Sequence, residues 1–221
     1  MQQPSGLPSA AARLQEWIDR SQSMTRPDAT PHWLETMVAA LAGAAPADLS
    51  TNDPAAVDVG ARQAAVLILI GGSAEEGPTV VLLERARGLR DHRGEIGFPG
   101  GGWEPVDASP VATALREARE EIGVDPNGID PLIVLPRLVI RASGFEVTAV
   151  VGYWREPSPI GPADPAETGR ALTVDLRDIA QPDRWSTLTV RGWSGPTVVL
   201  DDATVVWGYT AELLAFMCRN V

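Results

Sequence analysis

The segment Ser109–Val124 reads SPVATALREAREEIGV. Projected at about 100° per residue, Val111, Ala114, Leu115, Ala118 and Ile122 fall in one stripe about 100° wide, the face of a helix that packs on a core. Ser109-Pro110 is a helix start and Gly123 is placed to end it. Glu117, Glu120 and Glu121 gather on a second face. Carboxylates at i, i+3 and i+4 repel one another by a few tenths of a kcal/mol per pair. They also occupy the C-terminal half of the helix, where the macrodipole disfavours negative charge. A divalent cation compensates well, because hard oxygen ligands one turn apart suit Mg²⁺ or Mn²⁺. A solvated acidic face softened by Arg116 and Arg119 would explain the same letters. The glycine-rich run Phe98-Pro99-Gly100-Gly101-Gly102 immediately upstream favours the metal reading.

Outward from this helix, strands are expected on both sides. Ala64–Ile70 reads as a buried strand, turned by Gly71-Gly72 and Glu76-Gly77-Pro78 into a second strand, Thr79–Leu83. Downstream, Leu132–Ile140 and Phe145–Trp154 read as strands, with Pro136 marking an edge position or a break into two pieces. Short β segments follow at Ala171–Leu176, Thr187–Val190, Thr197–Leu200 and Thr204–Trp207, with Asp201-Asp202 in a hairpin turn and a closing helix from Thr210 to Cys218. The first 60 residues hold two short helix candidates. In the second, Thr30 is placed to cap and Pro31 to open the first turn, and Gly43 to Asp58 reads as linker. The expected division is therefore 1–60, a helical extension whose roles are a packing arm or a homodimer contact, and 61–221, an α/β domain.

Composition removes several function classes. The 221-residue chain carries 29 acidic and 18 basic residues, a net charge of −11, and every basic residue is Arg. Such a chain repels nucleic-acid backbones and anionic membranes, so neither is an expected partner. An anionic substrate would need a local Arg cluster or bound cations. The single cysteine, Cys218, excludes an internal disulfide and a cysteine-based metal site. The start, MQQPSGLPSAAARL, has neither the basic nor the apolar region of a secretory signal. The longest apolar run, Ala64–Ile70, is too short to span a bilayer, and a cytoplasmic location is expected.

Arg116-Glu117-Ala118-Arg119-Glu120-Glu121-Ile122-Gly123-Val124 resembles the R-E-U-x-E-E-x-G-U half of the Nudix box, where U is aliphatic. The first half of the box, G-x5-E-x7, departs: Gly102 falls on its glycine, but Ala108 stands where the usual Glu belongs. Upstream, Val81 to Gly101 resembles the signature of the coenzyme A pyrophosphatase branch, L-L-T-x-R-[SA]-x3-R-x3-G-x3-F-P-G-G. Arg85, Ala86, Arg90, Gly94 and Phe98-Pro99-Gly100-Gly101 are in register, while Val81 replaces the first Leu and Leu83 the Thr. Glu104 and Asp107 resemble the acidic residues that this branch places after FPGG. Ser143-Gly144-Phe145, Ala166-Glu167 and Trp207-Gly208-Tyr209-Thr210-Ala211 resemble its later landmarks.

The resemblance implies a Nudix-type α/β/α sandwich with a mixed β-sheet. It implies hydrolysis of a pyrophosphate by water with Mg²⁺ or Mn²⁺ bound by Glu117, Glu120 and Glu121. Glu117 and Glu167 are the two candidate bases, and Arg116 holds the carboxylates through a salt bridge. Arg85, Arg90, Phe98, Gly100 and Gly101 are the expected substrate-binding residues. The implied substrate is coenzyme A or an acyl-CoA, cleaved to phosphopantetheine and adenosine 3′,5′-bisphosphate. ADP-ribose, NADH or another nucleoside diphosphate derivative is the alternative substrate, and a non-hydrolytic nucleotide-binding module is the alternative class. His92 is expected to order its loop, and Trp103 is a candidate wall for a base or pantetheine pocket.

Overall fold

The computed structural model describes residues 10–51, 62–88, 94–140, 143–190, 192–200 and 203–221. Helices α1 (Ala10–Ser23), α2 (Glu35–Gly43) and α3 (Pro46–Leu49) precede strands β1 (Arg62–Ser73) and β2 (Gly77–Arg85). Two short strands, β3 (Ile96–Gly97) and β4 (Gly100–Gly102), lead into α4 (Pro110–Ile122). Strands β5 (Ile129–Val134), β6 (Leu138–Ile140), β7 (Phe145–Trp154) and β8 (Thr168–Asp175) follow. Then come α5 (Leu176–Ile179), β9 (Trp185–Val190), β10 (Trp193–Val199), β11 (Val205–Val206) and α6 (Gly208–Cys218).

Among the described residues, eight strands form one mixed sheet. β1 and β7 run parallel, Arg62 beside Phe145 through Ile70 beside Tyr153. The other ladders of this sheet are antiparallel: β2 and β4 on β1, β3 and β8 on β2, β5 and β6 on β7. β1 and β7 are apolar on both faces because helices cover both. Ala65, Leu67 and Leu69 meet Val111, Ala114, Ala118 and Ile122 of α4 and Trp17 of α1. Ile68 and Ile70 point the other way, into a core with Met37, Val38 and Leu41 of α2 and Ala211, Leu214 and Met217 of α6. The result is an α/β/α sandwich, as the sequence implied. A second sheet, β11-β10-β9, contributes Val198 and Val206 to the α6 side.

Helix α4 follows its sequence signals closely. The Ser109 hydroxyl accepts the Ala112 N–H at 3.2 Å, Pro110 occupies the first turn, and Gly123 ends the helix at φ 70°. Ala114 and Ala118 are fully buried, so small side chains seat the helix on β1. Leu132–Ile140 is broken at Pro136 into β5 and β6, both edge pieces paired to β7.

Three expectations need correction. Gly71 and Gly72 do not turn the chain; they continue β1 opposite Thr79 and Pro78, and the turn lies at Ala74–Glu76. A Cβ at Gly71 would press on Thr79 Oγ1 at 3.1 Å, and Gly72 holds φ 101° with its Cα face against the Gly77 carbonyl, so these glycines let the two strands pair closely rather than reverse the chain. Thr30 does not cap α2: its hydroxyl donates to the Pro27 carbonyl at 2.7 Å. A 3₁₀ turn, His32–Leu34, then enters α2 without a side-chain cap. The stretch read as linker from Gly43 includes α3, whose Leu49 is buried, and the Ser50 hydroxyl donates to the buried Glu212 carboxylate of α6 at 2.6 Å. The rest of that stretch, and the Asp201-Asp202 turn, lie outside the described residues.

The extension is thus joined to the sheet at several points. The Arg26 N–H donates to the Pro131 carbonyl at 2.7 Å, and its guanidinium pairs with Asp130 at 3.1 Å. No described helix is long and apolar enough to cross a membrane.

Candidate active site

The glycine strand β4 lies on the first residues of β1, with Gly100 beside Val66, Gly101 beside Ala65 and Gly102 beside Ala64. Helix α4 crosses over it. A Cβ at Gly101 would stand 2.6 Å from the carboxyl carbon of Glu117, so glycine here lets the carboxylate approach the strand. One residue earlier, the Gly100 N–H donates to Glu121 Oε2 at 2.8 Å.

Arg116 organises the surrounding charges. Its Nε donates to Asp107 Oδ1 and its Nη2 to Asp107 Oδ2, both at 3.0 Å, and Nη2 also donates to the Gly102 carbonyl at 2.9 Å. Its Nη1 contacts Glu117 at 3.0 Å and Glu120 at 2.9 Å. The hydrogen bond from Arg116 to Asp107 is the strongest influence holding this guanidinium protonated. Burial alone would raise the Asp107 carboxyl; hydrogen bonds from Arg116, the Glu104 N–H and the Thr113 hydroxyl outweigh it and hold the group below its ordinary range.

Asp107 was not among the expected site residues. It lies one position before Ala108, where the usual acid of the box is missing, and its carboxylate pairs with Arg116. The clue was available in the acidic residues after FPGG, but only the loop conformation shows which one reaches Arg116.

Glu121 is buried beneath the glycine strand. Desolvation pushes its carboxyl up to about 7, against the Gly100 N–H and the Arg85 guanidinium, and with help from the nearby Glu117 and Glu167 charges. Arg85 stands 3.6 Å from Glu121. The Glu117 carboxyl is also raised, chiefly by burial, with the Arg116 charge opposing. Glu120 is different: its side chain is 59% exposed and turned to Arg116. Glu167 is exposed on the segment leading into β8.

The structure therefore brings Arg85, Gly100, Gly101, Arg116, Glu117, Glu121 and Glu167 to one region, with Glu120 at its outer edge. Phe98 is buried in the core on the α6 side. Trp103 packs on Trp17 of α1 at 6.3 Å between ring centroids, and its indole N–H donates to the Asp107 carbonyl, so it braces the acidic loop. Arg90 and His92 lie outside the described residues.

Among the described residues, no three His, Cys, Asp or Glu side chains converge into a ready cation cage. The donor chemistry nonetheless fits a hard cation. Glu117 and Glu121 are two crowded carboxylates whose ionisation is resisted by burial and by neighbouring carboxylates, Glu120 and Asp107 for Glu117 and Glu117 and Glu167 for Glu121, the condition that a bound divalent ion relieves.

An acidic helix set over a glycine strand, on a mixed sheet covered by helices on both faces, is the architecture of a Nudix fold. The NUDIX domain model matches residues 61–189, and the chain belongs to the Nudix hydrolase family. The uncharacterized Nudix hydrolase NudL of Salmonella newport is 38% identical over 169 residues, covering 72% of this chain and 83% of the relative; NudL of Salmonella enteritidis gives the same figures. Among solved structures, a Nudix hydrolase from M. smegmatis, RenU, is similar at 21% identity, with a TM-score of 0.45 over 54% of this chain and 74% of that one.

Proposed function

We propose that this Nudix hydrolase cleaves the diphosphate of a nucleoside diphosphate derivative with Mg²⁺ or Mn²⁺. The observation that carries the reading is the buried Glu121 and half-buried Glu117, pressed against the glycine strand and flanked by Arg85 and Arg116. Glu117 and Glu121 would hold the cation, with Glu120 recruited from Arg116. The bound ion neutralises diphosphate charge and lowers the pKa of a water molecule. Arg116 orients the carboxylates and is itself anchored by Asp107. Arg85 faces the same carboxylates and is placed to meet a phosphate oxygen through its guanidinium fork. Glu117 or Glu167 accepts the proton of the attacking water. Water adds to one phosphorus, the bridging P–O bond breaks, and two phosphate monoesters leave.

Coenzyme A or an acyl-CoA is the finer substrate within this reading. Its support is the register of Arg85, Ala86, Arg90, Gly94 and FPGG with the coenzyme A pyrophosphatase signature. ADP-ribose and NADH belong to the same chemical class and share the reaction. We propose the protein as cytoplasmic, with a small-molecule nucleotide as its partner.

The test is product analysis with Mg²⁺ or Mn²⁺ and a panel of coenzyme A, ADP-ribose, NADH and nucleoside triphosphates. Release of adenosine 3′,5′-bisphosphate well above all other turnover supports the coenzyme A reading, and Arg90→Ala should then impair coenzyme A more than ADP-ribose. Turnover of another diphosphate alone keeps the metal helix and discards coenzyme A. No turnover on any member, with nucleotide binding retained, would make this a binding module.

A further inference from the structure

We infer that Arg62 and Phe145 form a stacking platform for the planar base of the nucleotide, on the face of the sheet opposite α4. The inference rests on the proposed diphosphate reading and adds the site that selects a nucleotide over a bare diphosphate.

The two residues open β1 and β7 and are direct neighbours in the parallel ladder, so their side chains leave the sheet on the same face. That face is the one shared by Ala64 and Val66; Ala65, on the other face, meets α4. The Arg62 guanidinium carbon lies 4.1 Å from the Phe145 ring centroid. Its Nη2 donates to the Ser143 carbonyl at 3.4 Å, and the Ser143 hydroxyl accepts the Phe145 N–H at 3.4 Å. The turn before β7 therefore fixes both members of the stack. Arg62 is exposed and Phe145 half-buried; the guanidinium covers one face of the ring, so a base would lie on the outer face of the guanidinium, backed by the ring.

The glycine strand links this platform to the carboxylates. A Cβ at Gly102 would point to Phe145 Cε1 at 3.9 Å, with nothing nearer, whereas a Cβ at Gly101 would point into the Glu117 carboxylate. Consecutive residues of one strand thus separate an aromatic ring on one face from the phosphate-handling group on the other. A nucleotide whose diphosphate lies at the end of β4 by Glu117 can carry its ribose past Gly102 and lay its base on the Arg62–Phe145 pair. Stacking on an aromatic ring tolerates different bases because each has a π-face, and an Arg guanidinium adds cation–π attraction.

The test is calorimetric titration of the full chain with ADP, and separately with inorganic pyrophosphate, in the presence of Mg²⁺. Phe145→Ala should weaken ADP about tenfold and leave pyrophosphate unchanged, Phe145→Trp should restore ADP, and Arg62→Ala should weaken ADP in the same selective way. In turnover, Phe145→Ala should raise KM for the nucleotide substrate and leave kcat nearly unchanged. Equal loss of ADP and pyrophosphate, unchanged ADP affinity, or a loss that Phe145→Trp does not restore would overturn the platform. A wild-type protein that hydrolyses no member of the panel and binds neither probe would overturn the diphosphate reading itself. A wild type that turns over nucleotides while Phe145→Ala binds ADP normally removes the platform alone.

Discussion

Asp107 and Arg116 meet through two parallel hydrogen bonds, each 3.0 Å, with the Asp107 side chain only 4% exposed and that of Arg116 19% exposed. This bidentate pair ties the acidic loop to the middle of α4. Asp107→Ala should cost about 2–3 kcal/mol, less than a fully buried pair because Arg116 keeps other partners. The freed guanidinium should also bind Glu117 and Glu120 more tightly and compete with a cation. Denaturant unfolding and a Mg²⁺ dependence of kcat/KM check both effects. A variant with wild-type stability and metal dependence would show that the pair does not organise the site.

Glu121 gives the metal-free protein a pH dependence. Its folded pKa, about 7, lies above the ordinary 4.5 because burial favours the protonated form. A carboxyl raised in this way contributes stability that is full below about 4.5 and is lost as pH rises through about 7. Thermal unfolding in chelator should therefore show Tm falling between about pH 5 and 8, by an amount corresponding to at most about 3 kcal/mol. Glu121→Gln should flatten that fall. Mg²⁺ should raise the wild-type Tm at pH 8 through preferential binding to the folded state, and should raise that of Glu121→Gln much less.

Gly101→Ala should separate folding from chemistry. The added methyl would meet the end of the flexible Glu117 side chain rather than backbone, so the fold can yield at small cost. The carboxylate must then move off the strand. We expect a Tm within a few degrees of wild type and a loss of kcat of at least tenfold. A large stability loss with normal turnover per folded molecule would contradict this.

Glu212 of α6 is buried and accepts hydrogen bonds from the Ser50 hydroxyl at 2.6 Å and the Thr51 N–H at 3.0 Å. Removing it leaves those donors without their charged acceptor. Glu212→Ala should destabilise the protein by about 1–3 kcal/mol and speed limited proteolysis after Gly43. Unchanged cleavage would show that the Glu212 carboxylate does not hold this segment.

Helix α4, its cap at Ser109, its stop at Gly123, its buried stripe and its acidic face are legible in the residues alone, because a helix places its own residues by a fixed local geometry. So are the irregularity at Pro136, read as an edge or a break, and the apolar runs of β1 and β7, which record burial on both faces. Local signals misread Gly71-Gly72 as a turn and Thr30 as a cap, since strand pairing with Thr79 and Pro78 and a preceding 3₁₀ turn override them. That Asp107, and not position 108, anchors Arg116 follows from the fold, because loop conformation sets which carboxylate reaches a distant guanidinium. The fold alone turned Glu120 outward while sinking Glu121 beneath Gly100, and it alone set Arg62 beside Phe145. Those relationships join residues up to 83 positions apart in the chain, from Arg62 to Phe145 (145 − 62), and sheet pairing and burial specify them where local periodicity cannot.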